Sequence, residues 1–187
     1  MSSAEQLPRP RGRGAEAQRN RTRLLDAARE VFAEQGAGAS LNDIARRDGI
    51  GNATLYRHFP TRRDLIVTVY ADEVTALCAQ GEALLEDEDP VAALFRWLRA
   101  FVAHVATKRD LALAIPVDGR RSALFDEWHA AMRATAGRLL GRVSAADAVE
   151  VAAADLLGLA SGIALSAADE AQVERCLGVV RRGFAGR

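Results

Sequence analysis

Apolar side chains recur at helical spacing along most of the 187-residue chain. Leu24, Ala28, Val31 and Phe32 fall at i, i+4, i+7 and i+8, which places them on one face of a helix. No segment alternates apolar and polar residues for long enough to predict a strand. Alanine, leucine, arginine and glutamate are frequent, and all four favour helices. The pattern therefore predicts an all-α protein.

Capping and breaking residues divide the first third of the chain into short helices. The first helix is predicted from near Gln18 to the break at Gly36. Ser40 and the acid three residues later form a capping pattern that opens a second helix, which Gly49 ends. A third helix is predicted over 52–58, because the residue before a proline disfavours helix and Pro60 follows closely.

The remaining two thirds of the chain predict longer helices. A capping pattern at Thr61 opens one that extends to about Leu85. Asp89 followed by Pro90 predicts the start of the next, which runs to about Lys108 with a short helix to Ile115. A loop over 116–121 and helices near 122–142, 145–167 and 170–184 follow, the last two capped at Ser144 and Asp169.

Charge and composition predict three segments, which are a disordered basic arm over 1–17, a small domain over 18–65 and a helical domain over 66–187. The arm contains Pro8 and Pro10. Residues 1–65 carry twelve arginines and eight acids, a net charge of +4, whereas the rest carries −4 and the whole chain is neutral. This asymmetry favours contact between the N-terminal part and a polyanion.

Residues 40–59 predict a helix-turn-helix. Gly49 lies in the tight turn between the two helices, where a side chain is disfavoured. The apolar residues Leu41, Ile44, Ile50 and Leu55 are expected to hold the pair against the first helix. This arrangement leaves an outer face free to enter a major groove, made up of Asn52, Ala53, Thr54 and Arg57.

Residues 19–66 resemble the DNA-binding region of the tetracycline-repressor (TetR) family, through the stretches 24–28, 31–36, 41–45 and 54–59, the last reading TLYRHF. The resemblance implies an N-terminal three-helix domain, a helical effector-binding and dimerisation domain, and a repressor that a small molecule releases from double-stranded DNA. It implies phosphate contacts from Tyr56, His58 and Arg62, and base or groove contacts from Asn52, Ala53, Thr54 and Arg57, with Ser40 as a further candidate. Gly51 departs from the serine or threonine of many members, and Arg63 replaces a usual acid.

Ordinary structural roles remain open for several of these residues. Tyr56 can be a core aromatic with its hydroxyl at the surface, and His58 can be a histidine whose hydrogen bonds are made within the protein. Arg46 and Arg47 can belong to a solvated face.

Two aromatic stripes in the larger domain predict either core or an effector pocket. Trp97, Phe101 and His104 share one helix face, and Phe125, Trp128 and Met132 share another. The family resemblance favours a pocket for an apolar, ring-containing effector. The candidate lining residues are Tyr70, Trp97, Phe101, His104, Trp128 and Met132, with Asp118, His129 and Arg133 as further polar candidates.

The predicted helix 145–167 is apolar on nearly all sides, from Val149 onward, so it is expected to meet both its own core and a partner chain. Gly158 and Gly162 would permit a close helix crossing. A homodimer and a near-palindromic operator follow from this. The candidate interface residues are Leu156, Gly158, Leu159, Gly162, Ile163 and Val179. Asp155 can face solvent, pair across the dimer or meet a ligand.

Motifs of other protein classes are missing from the sequence. It contains no GxSxG, phosphate loop or metal-ligand spacing, so we expect no enzyme, cofactor or metal. No apolar run approaches the roughly 18 residues of a membrane span, and no signal sequence is recognisable, so we expect a cytoplasmic protein. Cys78 and Cys176 are expected to be buried reduced thiols, with a redox pair as the alternative. An activator, an effector-blind regulator and a helical carrier with a vestigial head remain open.

Overall fold

The computed structural model describes residues 12–114, 123–143 and 151–184, and these ranges contain eight α-helices and no strand. The all-α prediction is thereby confirmed. The helices are α1 Gly12–Gln35, α2 Leu41–Asp48, α3 Asn52–His58, α4 Arg62–Ala83, α5 Pro90–Ala114, α6 Ala123–Gly141, α7 Ala153–Ser166 and α8 Glu170–Phe184. Two 3-10 turns, Gly36–Gly38 and Leu84–Glu86, follow α1 and α4.

The chain divides into two compact units, 1–65 and 66–187. In the first unit α1 packs on α2, and α2 packs on α3. Apolar side chains of all three helices, and Phe59 directly after α3, are buried and form its core; those on the helices are Leu24, Ala28, Val31, Phe32, Ile44 and Leu55.

In the second unit α5 contacts α6, α7 and α8, so it lies at the centre of the core. Trp97 on α5 is fully buried, and its indole N–H donates a hydrogen bond to the Leu77 carbonyl at 2.9 Å. The Trp97 ring also stacks on Phe101, with ring centroids 5.7 Å apart. Cys78 packs against this core half-buried, and both Cys78 and Cys176 are free thiols.

Four of the predicted helix caps are confirmed. The side chains of Ser40, Thr61, Asp89 and Asp169 accept hydrogen bonds from the backbone N–H groups of Asp43, Asp64, Ala92 and Gln172, at 2.7–3.1 Å. The Asp64 carboxylate also accepts from the Thr61 N–H at 3.0 Å, which completes a capping box. Each cap satisfies an N–H group that has no partner inside its own helix.

Three predicted helix boundaries are wrong. Helix α1 begins at Gly12 and not near Gln18, because the helix formers that follow Gly14 extend the helix back toward Pro10. Helix α5 continues through Lys108 to Ala114, since no glycine or proline interrupts it before Pro116.

The third correction concerns the predicted helix 145–167. Helix α7 begins at Ala153, and the backbone of Ala152 is extended. Residues 1–11 of the predicted arm, the loop over 116–121 with Asp118, the cap at Ser144 and Val149 lie outside the described residues.

Candidate nucleic-acid interface and effector cavity

The turn between α2 and α3 depends on Gly49. Its φ of +65° lies in the left-handed region, and its N–H donates to the Ala45 and Arg46 carbonyls at the end of α2. A residue with a Cβ pays a steric cost of about 1–2 kcal/mol in this conformation. Gly51 differs, because its φ is −62° and it stands at the N-cap of α3 without a side-chain hydrogen bond.

We expect Gly49→Ser and Gly51→Ser to change stability in opposite directions. Gly49→Ser should lower the free energy of unfolding by about 1–2 kcal/mol, because serine must adopt the left-handed conformation. Gly51→Ser should raise it by a few tenths of a kcal/mol, since serine can cap α3 and a Cβ at this position meets nothing within 4 Å. Urea unfolding followed by circular dichroism measures both changes. Equal effects at the two glycines would contradict this account of the turn.

Helix α3 has one buried and one exposed face. Leu55 is 1% exposed and anchors the inner face. Tyr56 is 47% exposed, so its ring is not part of the core, and the alternative of a core tyrosine is wrong. The other exposed residues are Asn52, Ala53 and Arg57, whereas Thr54 and His58 are half-buried. The predicted outer face is therefore open to solvent at Asn52, Ala53 and Arg57, and partly so at Thr54.

Two arginines, Arg57 on α3 and Arg62 at the start of α4, differ in how far solvent reaches the guanidinium group. Arg57 makes no ion pair or hydrogen bond with another residue in the described part of the chain. The Nε and Nη2 atoms of Arg62, at the start of α4, are enclosed and lack a hydrogen-bond acceptor there. The exposed Arg57 guanidinium therefore suits an anion, whereas these two Arg62 donors are closed to solvent in the DNA-free structure.

The Ser40 hydroxyl is used within its own helix cap. It accepts from the Asp43 N–H and donates to the Asp43 carboxylate at 2.7 Å. This hydrogen bond from Ser40 is the main reason that the pKa of Asp43 lies below its usual value. Ser40 is exposed, but its hydroxyl proton is not available for another acceptor while the cap is intact.

Arg47 connects α2 to α1 and does not belong to a merely solvated face. Its guanidinium binds the Glu34 carboxylate at 2.5 Å and Glu30 at 3.3 Å. The hydrogen bond from Arg47 lowers the pKa of Glu34. Sequence reasoning missed this contact because thirteen residues separate Glu34 from Arg47. Arg46 pairs with Asp43, one turn before it on the same helix, at 2.5 Å.

The second unit contains a cavity of about 220 Å³ lined by residues of α5, α6 and α7. Two of the six residues predicted from the sequence, Phe101 and Met132, line it. So do the polar candidates His129 and Arg133. The remaining lining residues, which sequence reasoning did not identify, are Ala154, Leu157, Gly158 and Ser161.

Three other predicted pocket residues lie together in an aromatic cluster. The Tyr70 ring centroid is 5.3 Å from His104, 5.0 Å from Trp128 and 5.5 Å from Phe125. Burial raises the pKa of the Tyr70 hydroxyl. Trp97 does not line the described cavity, because it is fully buried and bonded to Leu77, so we correct its interpretation to a core residue.

The residues predicted for a dimer interface divide into two groups. Leu159 is 54% and Val179 is 60% exposed, and Gly158 and Gly162 are also exposed. Leu156, in contrast, is 2% exposed within its own core, so the interpretation of Leu156 as a surface residue is wrong. Ile163 packs half-buried against the same core.

Asp155 lies exposed in the first turn of α7. Its carboxylate accepts a hydrogen bond from the Ala152 N–H at 3.4 Å. A negative charge at this position also interacts favourably with the positive end of the helix dipole. A role at the start of its own helix therefore accounts for Asp155.

Both units match known families. Residues 24–69 match the model described as bacterial regulatory proteins, tetR family, and residues 89–186 match the SbtR-like transcriptional regulator C-terminal domain. The chain belongs to the TetR family of transcriptional regulators. This identification confirms the resemblance inferred from the sequence, and the family consists of DNA-binding regulators and not of enzymes.

Two solved TetR-family structures are similar over nearly their whole length. A regulator from Streptomyces coelicolor, SCO0520, is 33% identical with a TM-score of 0.76, over 89% of this chain and 98% of that one. A regulator from Mycobacterium vanbaalenii is 34% identical with a TM-score of 0.72, over 92% and 98%.

The curated relatives match over a shorter stretch. The regulator UidR of Escherichia coli K12 is 31% identical over 108 residues, which are 57% of this chain and 55% of UidR. This TetR-family regulator therefore spans about half the length of that relative. None of its described helices is long and apolar enough to cross a membrane.

Proposed function

We propose that this TetR-family regulator is a homodimeric repressor that a small, mostly apolar effector releases from a near-palindromic DNA operator. The outer face of α3 is the observation that carries the proposal, because Asn52, Ala53, Tyr56 and Arg57 are exposed while Leu55 anchors the opposite face. Short side chains at the start of the helix allow its backbone to lie close to the floor of a major groove.

The exposed residues of α3 suit two kinds of DNA contact. Arg57 can donate two hydrogen bonds to a guanine edge, which distinguishes one base pair from another. The Tyr56 hydroxyl and the Arg62 guanidinium suit phosphate oxygens, which position the protein and carry no sequence information. The Nε and Nη2 donors of Arg62 are enclosed in the DNA-free structure, so this contact requires the side chain to turn outward. His58 is half-buried beside Phe59, with ring centroids 6.4 Å apart, and an imidazole N–H is a suitable donor to a phosphate oxygen.

We expect Arg57→Ala and Tyr56→Phe to weaken operator binding in different ways. Arg57→Ala should cost about 1–3 kcal/mol per half-site and relax the preference at one base position. Tyr56→Phe should weaken all sequences alike, because it removes a phosphate contact only. Gel-shift titrations with the operator and its single-base variants measure both effects. Identical specificity profiles for the two variants would overturn these assignments.

A second copy of the chain is the proposed partner of the exposed face of α7. Leu159 is exposed there together with Gly162, whereas the exposed Gly158 also lines the cavity. A Cβ added at Gly162 would meet nothing within 4 Å, so packing within the chain does not explain this glycine. Glycine inside a helix lowers stability by about 1 kcal/mol relative to alanine. A glycine at this surface is explained if a partner helix approaches so closely that a side chain would block it.

We expect operator binding to depend steeply on salt. If each subunit neutralises about four phosphates, the logarithm of the binding constant should fall against the logarithm of salt concentration with a slope of about −7. Titrations at several salt concentrations give this slope. A slope near half that value, together with one bound subunit per site, would contradict dimeric binding.

Effector control requires that the small molecule bind the DNA-free conformation more tightly than the DNA-bound one. Helix α4 supplies the covalent connection, because it begins with Arg62 and continues to Ala83, past Tyr70 of the aromatic cluster. A coupling free energy of about 1–3 kcal/mol is typical of such systems and would weaken DNA binding up to about a hundredfold.

Selection of bound sites from random DNA tests the DNA part of the proposal, and a near-palindrome is expected. A reporter gene placed behind the selected site then separates repressor from activator, since removal of a repressor raises transcription. An asymmetric single-box site would contradict the dimer. A fall in transcription would identify an activator.

A further inference from the structure

The cavity of about 220 Å³ between α5, α6 and α7 has an apolar wall and one arginine at its rim. Phe101, Met132 and Leu157 supply the wall and are each at most 7% exposed. Arg133 and His129 are the titratable residues among those lining it, and no aspartate or glutamate lies with them in the described part of the chain. A ligand that fits both features has an apolar body and a negative charge at one end.

Among the described arginines of this unit that make no ion pair or hydrogen bond within the described ranges (Arg133, Arg175, Arg181 and Arg182), Arg133 is the one that lines this cavity. Arg96, Arg99 and Arg138 pair with Asp87, Glu174 and Glu82, respectively. Arg133 makes no ion pair or hydrogen bond within the described ranges. Its planar fork of donors matches the two oxygens of a carboxylate.

The two other polar groups of the cavity are already oriented by the backbone. His129 Nδ1 lies 2.7 Å from the Phe125 carbonyl oxygen, so the ring proton resides there and Nε2 remains for a ligand. Ser161 donates its hydroxyl proton to the Leu157 carbonyl at 2.8 Å. Ser161 therefore has only acceptor capacity left, and Arg133 supplies the strong donors.

We infer that this cavity binds a compact carboxylic acid, with its carboxylate on Arg133 and its apolar body among Phe101, Met132 and Leu157. The inference rests on the proposed function and names the chemical class of the effector. A volume of about 220 Å³ is below the roughly 300–1,000 Å³ of drug-sized pockets, so the acid is small. The apolar wall disfavours a more highly charged phosphate, whose dehydration costs more.

Matched acid and amide pairs test the charge requirement directly. We would titrate phenylacetate against phenylacetamide, and cyclohexanecarboxylate against its carboxamide, into the full-length protein by calorimetry near neutral pH. The acids are expected to bind at least about tenfold more tightly than the amides, because the hydrogen bonds to Arg133 are charge-assisted.

Substitutions on α6 locate this preference. Arg133→Gln should weaken acid binding about tenfold or more and leave amide binding unchanged, and Arg133→Lys should retain part of the preference. Arg138→Gln is the matched control, since it removes an arginine from the same helix that does not line the cavity. Its affinity for the acids should equal that of the unmodified protein.

The outcomes separate this inference from the proposed function. Amides that bind as tightly as acids, failure of all the acids to bind, or an equal loss in Arg133→Gln and Arg138→Gln would each overturn the inference. Release of operator DNA is measured separately by gel shift. Arg133-dependent acid binding without release would support the carboxylate site and contradict effector control. Release by a neutral compound, independent of Arg133, would overturn the carboxylate site and leave effector control standing.

Discussion

Leu159→Arg is expected to make the protein monomeric and to weaken operator binding by about a hundredfold or more. In a two-fold symmetric dimer the substitution enters the interface twice and places two like charges against an apolar partner surface. A monomer binds only one half-site of the operator. It therefore loses the gain in affinity that comes from binding both half-sites at once, typically about 10²–10⁴-fold. The substitution should leave the fold of each chain intact, because Leu159 is 54% exposed.

Leu124→Arg is the matched control for this experiment. Leu124 on α6 is 47% exposed, so the same change of residue occurs at a similarly accessible leucine outside the proposed interface. Sedimentation equilibrium at micromolar concentration gives the oligomeric state, and gel shift gives the operator affinity. A dimeric Leu159→Arg protein with normal operator affinity would rule out this face of α7 as the interface.

Gly81→Ala is expected to lower the free energy of unfolding by at least about 3 kcal/mol, the upper end of typical overpacking costs. A Cβ at this buried position on α4 would overlap the Thr135 Cγ2 methyl group and lie 2.9 Å from Trp97 Nε1. Neither neighbour moves easily, because Trp97 is bonded to the Leu77 carbonyl and the Thr135 hydroxyl to the Ala131 carbonyl. Relief of the overlap therefore requires α4 to shift.

Two further variants make the Gly81 prediction specific. Gly137→Ala, in the middle of α6, should raise stability by about 1 kcal/mol, since its added Cβ meets nothing within 4 Å. The double variant Gly81→Ala/Thr135→Ser should recover part of the loss, because serine lacks the overlapping methyl group and keeps the hydroxyl. Urea unfolding measures all three proteins. A Gly81→Ala protein as stable as the unmodified one would contradict the packing described here.

The sequence predicted the local features of the fold well because each depends on residues only a few positions apart. The caps at Ser40, Thr61, Asp89 and Asp169 are examples, since a hydroxyl or carboxylate at the N-cap binds an N–H three residues on. The left-handed turn at Gly49 is another. The helix-turn-helix could be predicted for the same reason, because its caps and its turn involve residues close together in the sequence. The family was recognised from the resemblance of residues 19–66 to TetR-family DNA-binding regions, and the match over residues 24–69 confirms it.

The cavity could not be derived in this way, because helical spacing shows which residues share a face and not what that face meets. Trp97, Phe101 and His104 share one stripe of α5, yet Trp97 became core, Phe101 lines the cavity, and His104 joined the cluster around Tyr70. The packing of α4, α6 and α7 around α5 decided among these outcomes.

By itself, the sequence determined the all-α class, most helix starts and the exposed face of α3, because local hydrogen bonds and helical periodicity fix them. The family was recognised separately, from the resemblance of residues 19–66 to TetR-family DNA-binding regions. Only the tertiary structure decided what Arg47, Leu156 and Arg133 lie beside. Arg47 binds an acid thirteen residues away, and Leu156 faces its own core. Arg133 reaches a cavity without an acidic partner. Such contacts arise only when helices distant in sequence come together, since the same side chain can be core, surface or ligand contact depending on what packs against it.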